Sequence, residues 1–222
     1  MVLVDQTRLP DLREWCPIDK AGRVVACDRD RCVVQQRDED RWRMSDEKPS
    51  LSSDVMLRRL RADDAANFKA IRLEALQASP ELLGSTFEFD NELDVTWFAG
   101  RLEESHVLGA FRAGVLAGTA GFSVQHGPKN AHKGRVWGMY VQSRARRLGI
   151  GRLLVSALLD VARARLEIVQ LTVVTTNQPA RRLYDSLGFV EFGMEPKASK
   201  LGDHYYDEAH MMLDFGRKPD AF

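Results

Sequence analysis

Between Val136 and Leu166 the hydrophobic period of the chain changes from that of a strand to that of a helix, across a loop with three arginines and two glycines. Upstream, Val136-Trp137-Gly138-Met139-Tyr140-Val141 is apolar, β-branched and aromatic, the composition of a buried strand. Downstream, Ile150, Leu153, Leu154, Ala157, Leu158, Val161 and Ala162 fall at the three-and-four spacing that lays one apolar stripe along a helix. A strand that must run into a helix through so short a loop restricts the chain to an α/β arrangement.

The loop has a chemical consequence. A helix start carries unpaired N–H groups and the positive end of the macrodipole, so it can hold an anion such as phosphate. Gly149 and Gly151 let backbone approach a bulky ligand, and Arg146, Arg147 and Arg152 add charge-assisted contacts. Two phosphate motifs are excluded. A P-loop needs Gly-Lys-Ser/Thr, whereas Gly151 is followed by Arg152 and Leu153; the dinucleotide fingerprint needs a third glycine where Leu154 stands.

A second run follows another apolar strand, Ile168-Val169-Gln170-Leu171-Thr172-Val173-Val174. In Asn177-Gln178-Pro179-Ala180-Arg181-Arg182-Leu183-Tyr184-Asp185-Ser186-Leu187-Gly188-Phe189, Asn177 suits an N-cap and Pro179 a first turn. Ala180, Leu183, Tyr184 and Leu187 share a face, so Tyr184 fits a core position as well as a site, and Gly188 stops the helix.

The first pattern, Arg146-x-x-Gly149-x-Gly151 between strand and helix, resembles the coenzyme-A-binding segment of the GNAT acetyltransferase superfamily. The second resembles the other GNAT signature, Asn-x-x-Ala-x-x-Leu-Tyr-x-x-x-Gly-Phe, with every fixed position present from Asn177 to Phe189. The resemblance covers residues 56–215. It implies an α/β fold: a mixed, largely antiparallel sheet of about seven strands, helices on both faces, splayed where the strand of Met139 meets that of Ile168. Acetyl-CoA as acyl donor would lie in the splay, with no metal. Met139, Tyr140, Val141, Arg146, Arg147, Leu148, Gly149, Ile150, Gly151, Arg152 and Asn177 would bind it.

The activity so implied is transfer of an acetyl group to a primary amine by direct attack. Tyr184 is the expected acid for the departing sulfur, since a phenol stays protonated near neutral pH. A base is harder to place. Many GNAT strands carry a carboxylate before the glycine loop, whereas this one offers Lys133, Arg135, Trp137 and Met139. Glu88, flanked by two phenylalanines, is the first choice, with Asp90, His132, Asp203, His204 or ordered water as alternatives. Glu81, Glu88, Asp90, Glu92 and Asp94 form an acidic run that either attracts a cationic amine or is a solvated face.

Other classes fare less well. A non-catalytic acyl-CoA sensor is the runner-up, supported by the missing strand carboxylate. Nucleic-acid binding would rest on Arg144, Arg146, Arg147 and Arg152 alone, without interleaved aromatics, in a chain of zero formal net charge. The expected acceptor is a small-molecule or peptide amine, with no nucleic acid or membrane partner and with room for a homodimer. No apolar run of the ~18 residues needed to span a bilayer occurs, there is no signal-peptide pattern, and the three cysteines lie within the first 32 residues without metal-ligand spacing, so the expected setting is cytoplasmic.

Residues 1–55 carry 10 Lys/Arg and 12 Asp/Glu and read as a poorly ordered N-terminal extension, with residues 24–27 and 32–36 as a candidate hairpin. Residues 216–222 read as a tail. Between them the expected strands are 56–61, 106–112, 115–125, 133–141, 168–174, 189–192 and 206–213, with helices at 62–76, 95–104, 150–162 and 178–187. Residues 87–92 and 196–204 are expected to be loops.

Overall fold

The computed structural model describes residues 55–216 and, earlier in the chain, only the backbone of strands β1 (Ala26–Asp28) and β2 (Arg31–Val33). These two pair antiparallel with Cys27 opposite Cys32. The expectation of a poorly ordered extension otherwise lies outside the described residues, as does that for the tail beyond Gly216.

A seven-stranded sheet carries the domain. In chain order its strands are β3 (Val55–Arg59), β4 (His106–Arg112), β5 (Val115–Val124), β6 (Lys133–Val141), β7 (Ile168–Val174), β8 (Val190–Leu201) and β9 (His204–Asp214). In space they run β3-β4-β5-β6-β7-β9-β8, and every neighbouring pair is antiparallel except β6 and β7. Helices α1 (Ala65–Ala78), α2 (Phe87–Glu92) and α3 (Val95–Glu104) connect β3 to β4; α4 (Ile150–Arg163) and α5 (Gln178–Asp185) follow β6 and β7.

Two cores sandwich the sheet. On one face α4 buries Ile150, Leu154, Val155, Ala157, Leu158, Leu159 and Ala162 against Leu108, Ala120, Phe122, Val169, Leu171 and Val173. On the other, Phe68 and Ile71 of α1 and Phe98 and Leu102 of α3 pack on Val107, Leu116 and Tyr140. Leu154 and Leu158 are fully buried, and truncating either to alanine costs about 2–5 kcal/mol. Gly118 lets α4 sit close: a Cβ there would come 3.0 Å from Tyr140 O and 3.2 Å from Leu154 Cδ1.

Two expected loops are structured. Residues 87–92 form α2, capped by Thr86, whose hydroxyl accepts from Phe89 N–H at 3.3 Å. Most of 196–204 is hairpin between β8 and β9, turning at Gly202 (φ 57°). Pro196 is tolerated because β8 is an edge strand with a register shift between Glu195 and Ser199. Lys197 takes a left-handed φ of 55° there, and its N–H donates to Asp207 Oδ1 at 2.7 Å.

Candidate active site

The site begins with a failure of strand pairing. β6 and β7 pair in parallel at Lys133–Ile168, Gly134–Val169 and Arg135–Gln170, and no further. β6 continues to Val141 and β7 to Val174, so the strands separate into a cleft of about 1330 Å³. The cleft continues to the loop that leads into α4 on one side of the sheet and to α1–α3 on the other.

A bulge in β6 determines what faces it. Gly121 pairs with Trp137 and Thr119 with Tyr140, so β6 holds one extra residue, and Gly138 adopts φ 61° there. The side-chain alternation changes phase at that point. Val136, Met139 and Val141 join the α4-side core, whereas Trp137 and Tyr140 join the α1–α3 side. Gln142 N–H donates to Ala117 O at 2.9 Å, which makes Tyr140 and Thr119 a hydrogen-bonded pair by antiparallel alternation. The backbone N–H of Val141 therefore points away from β5, into the gap that β7 has left.

Beyond β6, Ser143–Ala145 form one 3-10 turn, Arg147 and Gly149 take φ 62° and 75°, and α4 starts at Ile150 with Gly149 as N-cap. The N–H groups of Ile150, Gly151 and Arg152 precede the first helical bond, Leu153 N–H to Gly149 O at 3.0 Å, and have no acceptor among the described residues. A Cβ on Gly151 would meet Met139 Cε at 3.2 Å and Leu183 Cδ2 at 3.4 Å, so glycine keeps the helix start level with the floor of the cleft. Arg146 Nε donates to Val141 O at 3.1 Å and Arg152 Nη2 to Ser186 Oγ at 2.6 Å. Both arginines are thereby held beside the helix start.

Asn177 caps α5: its Oδ1 accepts from Ala180 N–H at 3.3 Å. Two turns on from this cap, Tyr184 is buried against Phe189, edge to face with ring centroids 5.7 Å apart, yet lines the cleft. Its hydroxyl has no hydrogen-bond partner among the described residues, and burial pushes its pKa up to about 12. Of the residues expected to hold the acyl donor, all but Leu148 line the cleft; the Tyr140 side chain turns to the α1 side.

The expected bases scatter. Glu88 is exposed on α2 and is not among the residues lining the cleft; His132 stands at the far end of β6, and Asp203 and His204 at the β8–β9 turn. Asp90 lines the cleft but is occupied, accepting from Arg72 Nε at 2.8 Å and Ser85 Oγ at 2.5 Å. The acidic run does not converge on the cleft: Asp94 caps α3 through Thr96 N–H, Glu88 and Glu92 are exposed, and only Glu81 and Asp90 line it. Sequence reasoning missed Glu208. Val173 and its partner Ala209 face the α4 core, so Val174 and its partner Glu208 lie on the opposite face of the sheet, where Glu208 lines the cleft. It also missed Glu74, whose carboxylate accepts from Tyr140 Oη and Gln142 Nε2.

An open mixed sheet splayed at one parallel pair, with a glycine-capped helix start and a buried phenol along the splay, defines an acyltransferase-type fold. Residues 67–189 match the model of the Acetyltransferase (GNAT) family, and the chain belongs to that family. Mycothiol acetyltransferase from Acidothermus cellulolyticus is 33% identical over 159 residues, which are 66% of this chain and 48% of that protein. The chain thus spans about half the length of that relative. L-amino acid N-acetyltransferase AaaT from Escherichia coli is 25% identical over 156 residues, 68% of this chain and 94% of the relative. Among solved structures, an acetyltransferase of the GNAT family from Streptococcus pneumoniae superposes with a TM-score of 0.67 at 24% identity, covering 73% of this chain and all of that one. YncA from Salmonella typhimurium, solved with its cofactor acetyl-CoA, gives 0.65 at 24% identity, covering 76% and 99%.

Proposed function

We propose that this chain transfers an acetyl group from acetyl-CoA to a primary amine by direct attack. The observation that carries the reading is Tyr184, whose hydroxyl has no hydrogen-bond partner among the described residues and which lines the same cleft as the N-terminal N–H groups of α4. A sensor needs the helix start but has no use for a buried phenol. Both curated relatives bear acetyltransferase names, and one fold neighbour was solved with acetyl-CoA.

Acetyl-CoA supplies a thioester carbonyl to a neutral amine. The residues divide the work by position. Ile150, Gly151 and Arg152 offer N–H groups, and Arg146, Arg147 and Arg152 offer charge, to the phosphates. The Val141 N–H faces the oxygen that gains charge as the carbonyl is attacked. Tyr184 protonates the departing sulfur as the C–N bond forms and the C–S bond breaks, its raised pKa keeping the proton in place until then. Glu208, rather than the exposed Glu88, stands where it can take the ammonium proton, directly or through water.

The arginines fit a small ligand better than nucleic acid, because Arg144, Arg146 and Arg152 are each bonded within the loop and its neighbours. The same reading keeps the cytoplasmic setting expected from the sequence. A homodimer is supported by the exposed Val190, Phe192 and Met194 along edge strand β8.

The test is calorimetric titration with acetyl-CoA and with free CoA, on wild type and on Gly149→Glu. The expected wild-type affinity is low micromolar, roughly −8 kcal/mol, lost in the variant, whose new carboxylate faces the phosphate site. Thermal melts confirm that the variant is folded. No binding to folded wild type overturns the reading.

A further inference from the structure

The acceptor half of the cleft holds a cation that the reaction itself does not use. Arg101, on α3, is half-buried and lines the cleft, with its guanidinium stacked 4.4 Å from the centroid of the Trp137 ring. No acidic group pairs with it among the described residues, in contrast to Arg72, which Asp90 neutralises in the same half of the cleft. Asp90 is engaged by both Arg72 and Ser85, so it is not left over to balance Arg101. A guanidinium over a ring face keeps its edge donors for other partners, and those of Arg101 have no acceptor among the described residues. A planar fork with free edge donors is matched by a carboxylate, which it can hold by two parallel hydrogen bonds.

The neighbouring side chains specify what the carboxylate is attached to. Trp97 stands one helical turn before Arg101 on the same face of α3, and with Phe68, Phe89 and Leu83 it lines this part of the cleft. Trp97 and Phe89 are 47% and 63% exposed, a large apolar area to leave in water without an occupant. Trp137 in turn is held in place from behind. Its indole lies over Gly121, where an added Cβ would come within 2.7 Å of Cε2. It is also the residue immediately before the Gly138 bulge, so the stacked pair adjoins the point where β6 turns its backbone towards the gap.

We propose that Arg101, seated on Trp137, receives the carboxylate of the acceptor, and that the acceptor is an α-amino acid with an apolar or aromatic side chain. Its carboxylate pairs with Arg101, its side chain lies among Trp97, Phe89 and Leu83, and its amine is directed past Gly138 towards the gap. The inference rests on the acetyl-transfer reading above and adds to it the acceptor's class. The contact is remote from the reacting atoms and is made equally before and during attack, so it acts on KM more than on kcat.

The experiment uses the full chain with saturating acetyl-CoA and matched amine pairs: L-phenylalanine, L-leucine and L-methionine, each against its own amide, plus 2-phenylethylamine. Thiol release is read for wild type, Arg101→Gln and Arg101→Lys, with thermal melts to show that each is folded. For wild type, kcat/KM is expected to be at least ~10-fold higher for an acid than for its amide. In Arg101→Gln this preference collapses through a raised KM for the acid, while the amide changes less than about twofold; Arg101→Lys retains part of it, since an ammonium keeps the charge but not the fork. Equal use of acids and amides by wild type overturns the inference. So does an Arg101→Gln variant that loses acid and amide activity alike, which would make the stack structural. If acetyl-CoA binds and none of the acids is acetylated, the inference falls while the donor-site reading stands. If acetyl-CoA does not bind, both fall.

Discussion

The Tyr140 hydroxyl donates to Glu74 Oε1 at 3.1 Å, which ties the strand bordering the cleft to α1. Gln142 Nε2 donates to the other carboxylate oxygen at 2.6 Å, and Arg144 Nη2 donates to Gln142 Oε1 at 3.0 Å. One acid thus anchors the strand end and the first turn of the phosphate loop together. Burial raises the Tyr140 pKa, with the Glu74 hydrogen bond and charge adding to it, so the phenol stays the donor.

From this follows a prediction about a residue outside the cleft. Glu74→Ala leaves Gln142 and Tyr140 without acceptors, at an expected cost of about 1–3 kcal/mol in urea unfolding. It also frees the loop at Arg144, so acetyl-CoA affinity is expected to fall several-fold in calorimetry. Glu74→Gln retains one acceptor oxygen and should lie between. Wild-type stability and affinity in Glu74→Ala would show that the network positions nothing.

Tyr184→Phe removes the hydroxyl and keeps the ring packed on Phe189. Turnover is expected to fall roughly 100-fold or more, the range for a lost general acid, with acetyl-CoA affinity unchanged. Because burial pushes the Tyr184 pKa up to about 12, the phenol remains protonated across the working range. The wild-type rate should therefore show no loss from Tyr184 ionisation up to about pH 10. Undiminished turnover in Tyr184→Phe would leave the residue as core.

Glu208→Gln separates two routes for the ammonium proton. If the carboxylate takes it, the variant loses at least about tenfold in kcat/KM, and the rise of rate with pH moves towards the pKa of the amine itself. Glu88→Gln, on an exposed turn of α2, is expected to leave the pH profile as it is. An unchanged profile in Glu208→Gln as well would assign the step to ordered water.

Much of this site could be read from residue order. The two glycines after β6 and the Asn177-to-Phe189 run placed α4, α5 and the phenol, because caps, stops and apolar stripes are local signals. What escaped is non-local. Glu208 faces the cleft only because β9 pairs with β7 in one register, and Glu74 meets Tyr140 across 66 positions. Period-two reading of β6 put Trp137 and Met139 on one face, and the bulge at Gly138 sends them to opposite faces. The signal for that bulge was a lone glycine inside a β-branched and aromatic run. Residues 196–204, expected to be a loop, make an edge hairpin, since an edge strand tolerates Pro196 and the turn needs only one left-handed glycine, Gly202.

The fold has a pH-sensitive clasp at the end of β3. Asp64 accepts from Arg58 Nη1 and Nη2 at 2.7 and 2.6 Å and from Arg61 N–H at 2.9 Å. Its carboxyl is held below the usual range chiefly by the hydrogen bonds from Arg58, against an opposing effect of burial. A depressed folded-state pKa contributes stability that is fully present above the unfolded carboxylate value of about 3.9 and is lost as pH falls through the folded value. Asp64→Asn is therefore expected to destabilise by about 1–3 kcal/mol at pH 7. The gap from wild type should stay unchanged at pH 5 and narrow as unfolding is repeated at pH 4 and then pH 3. Arg58 is 40% exposed, so solvent screening holds the effect to the lower part of that range. A gap that stays constant down to pH 3 would mean that the carboxylate charge is not what the clasp uses.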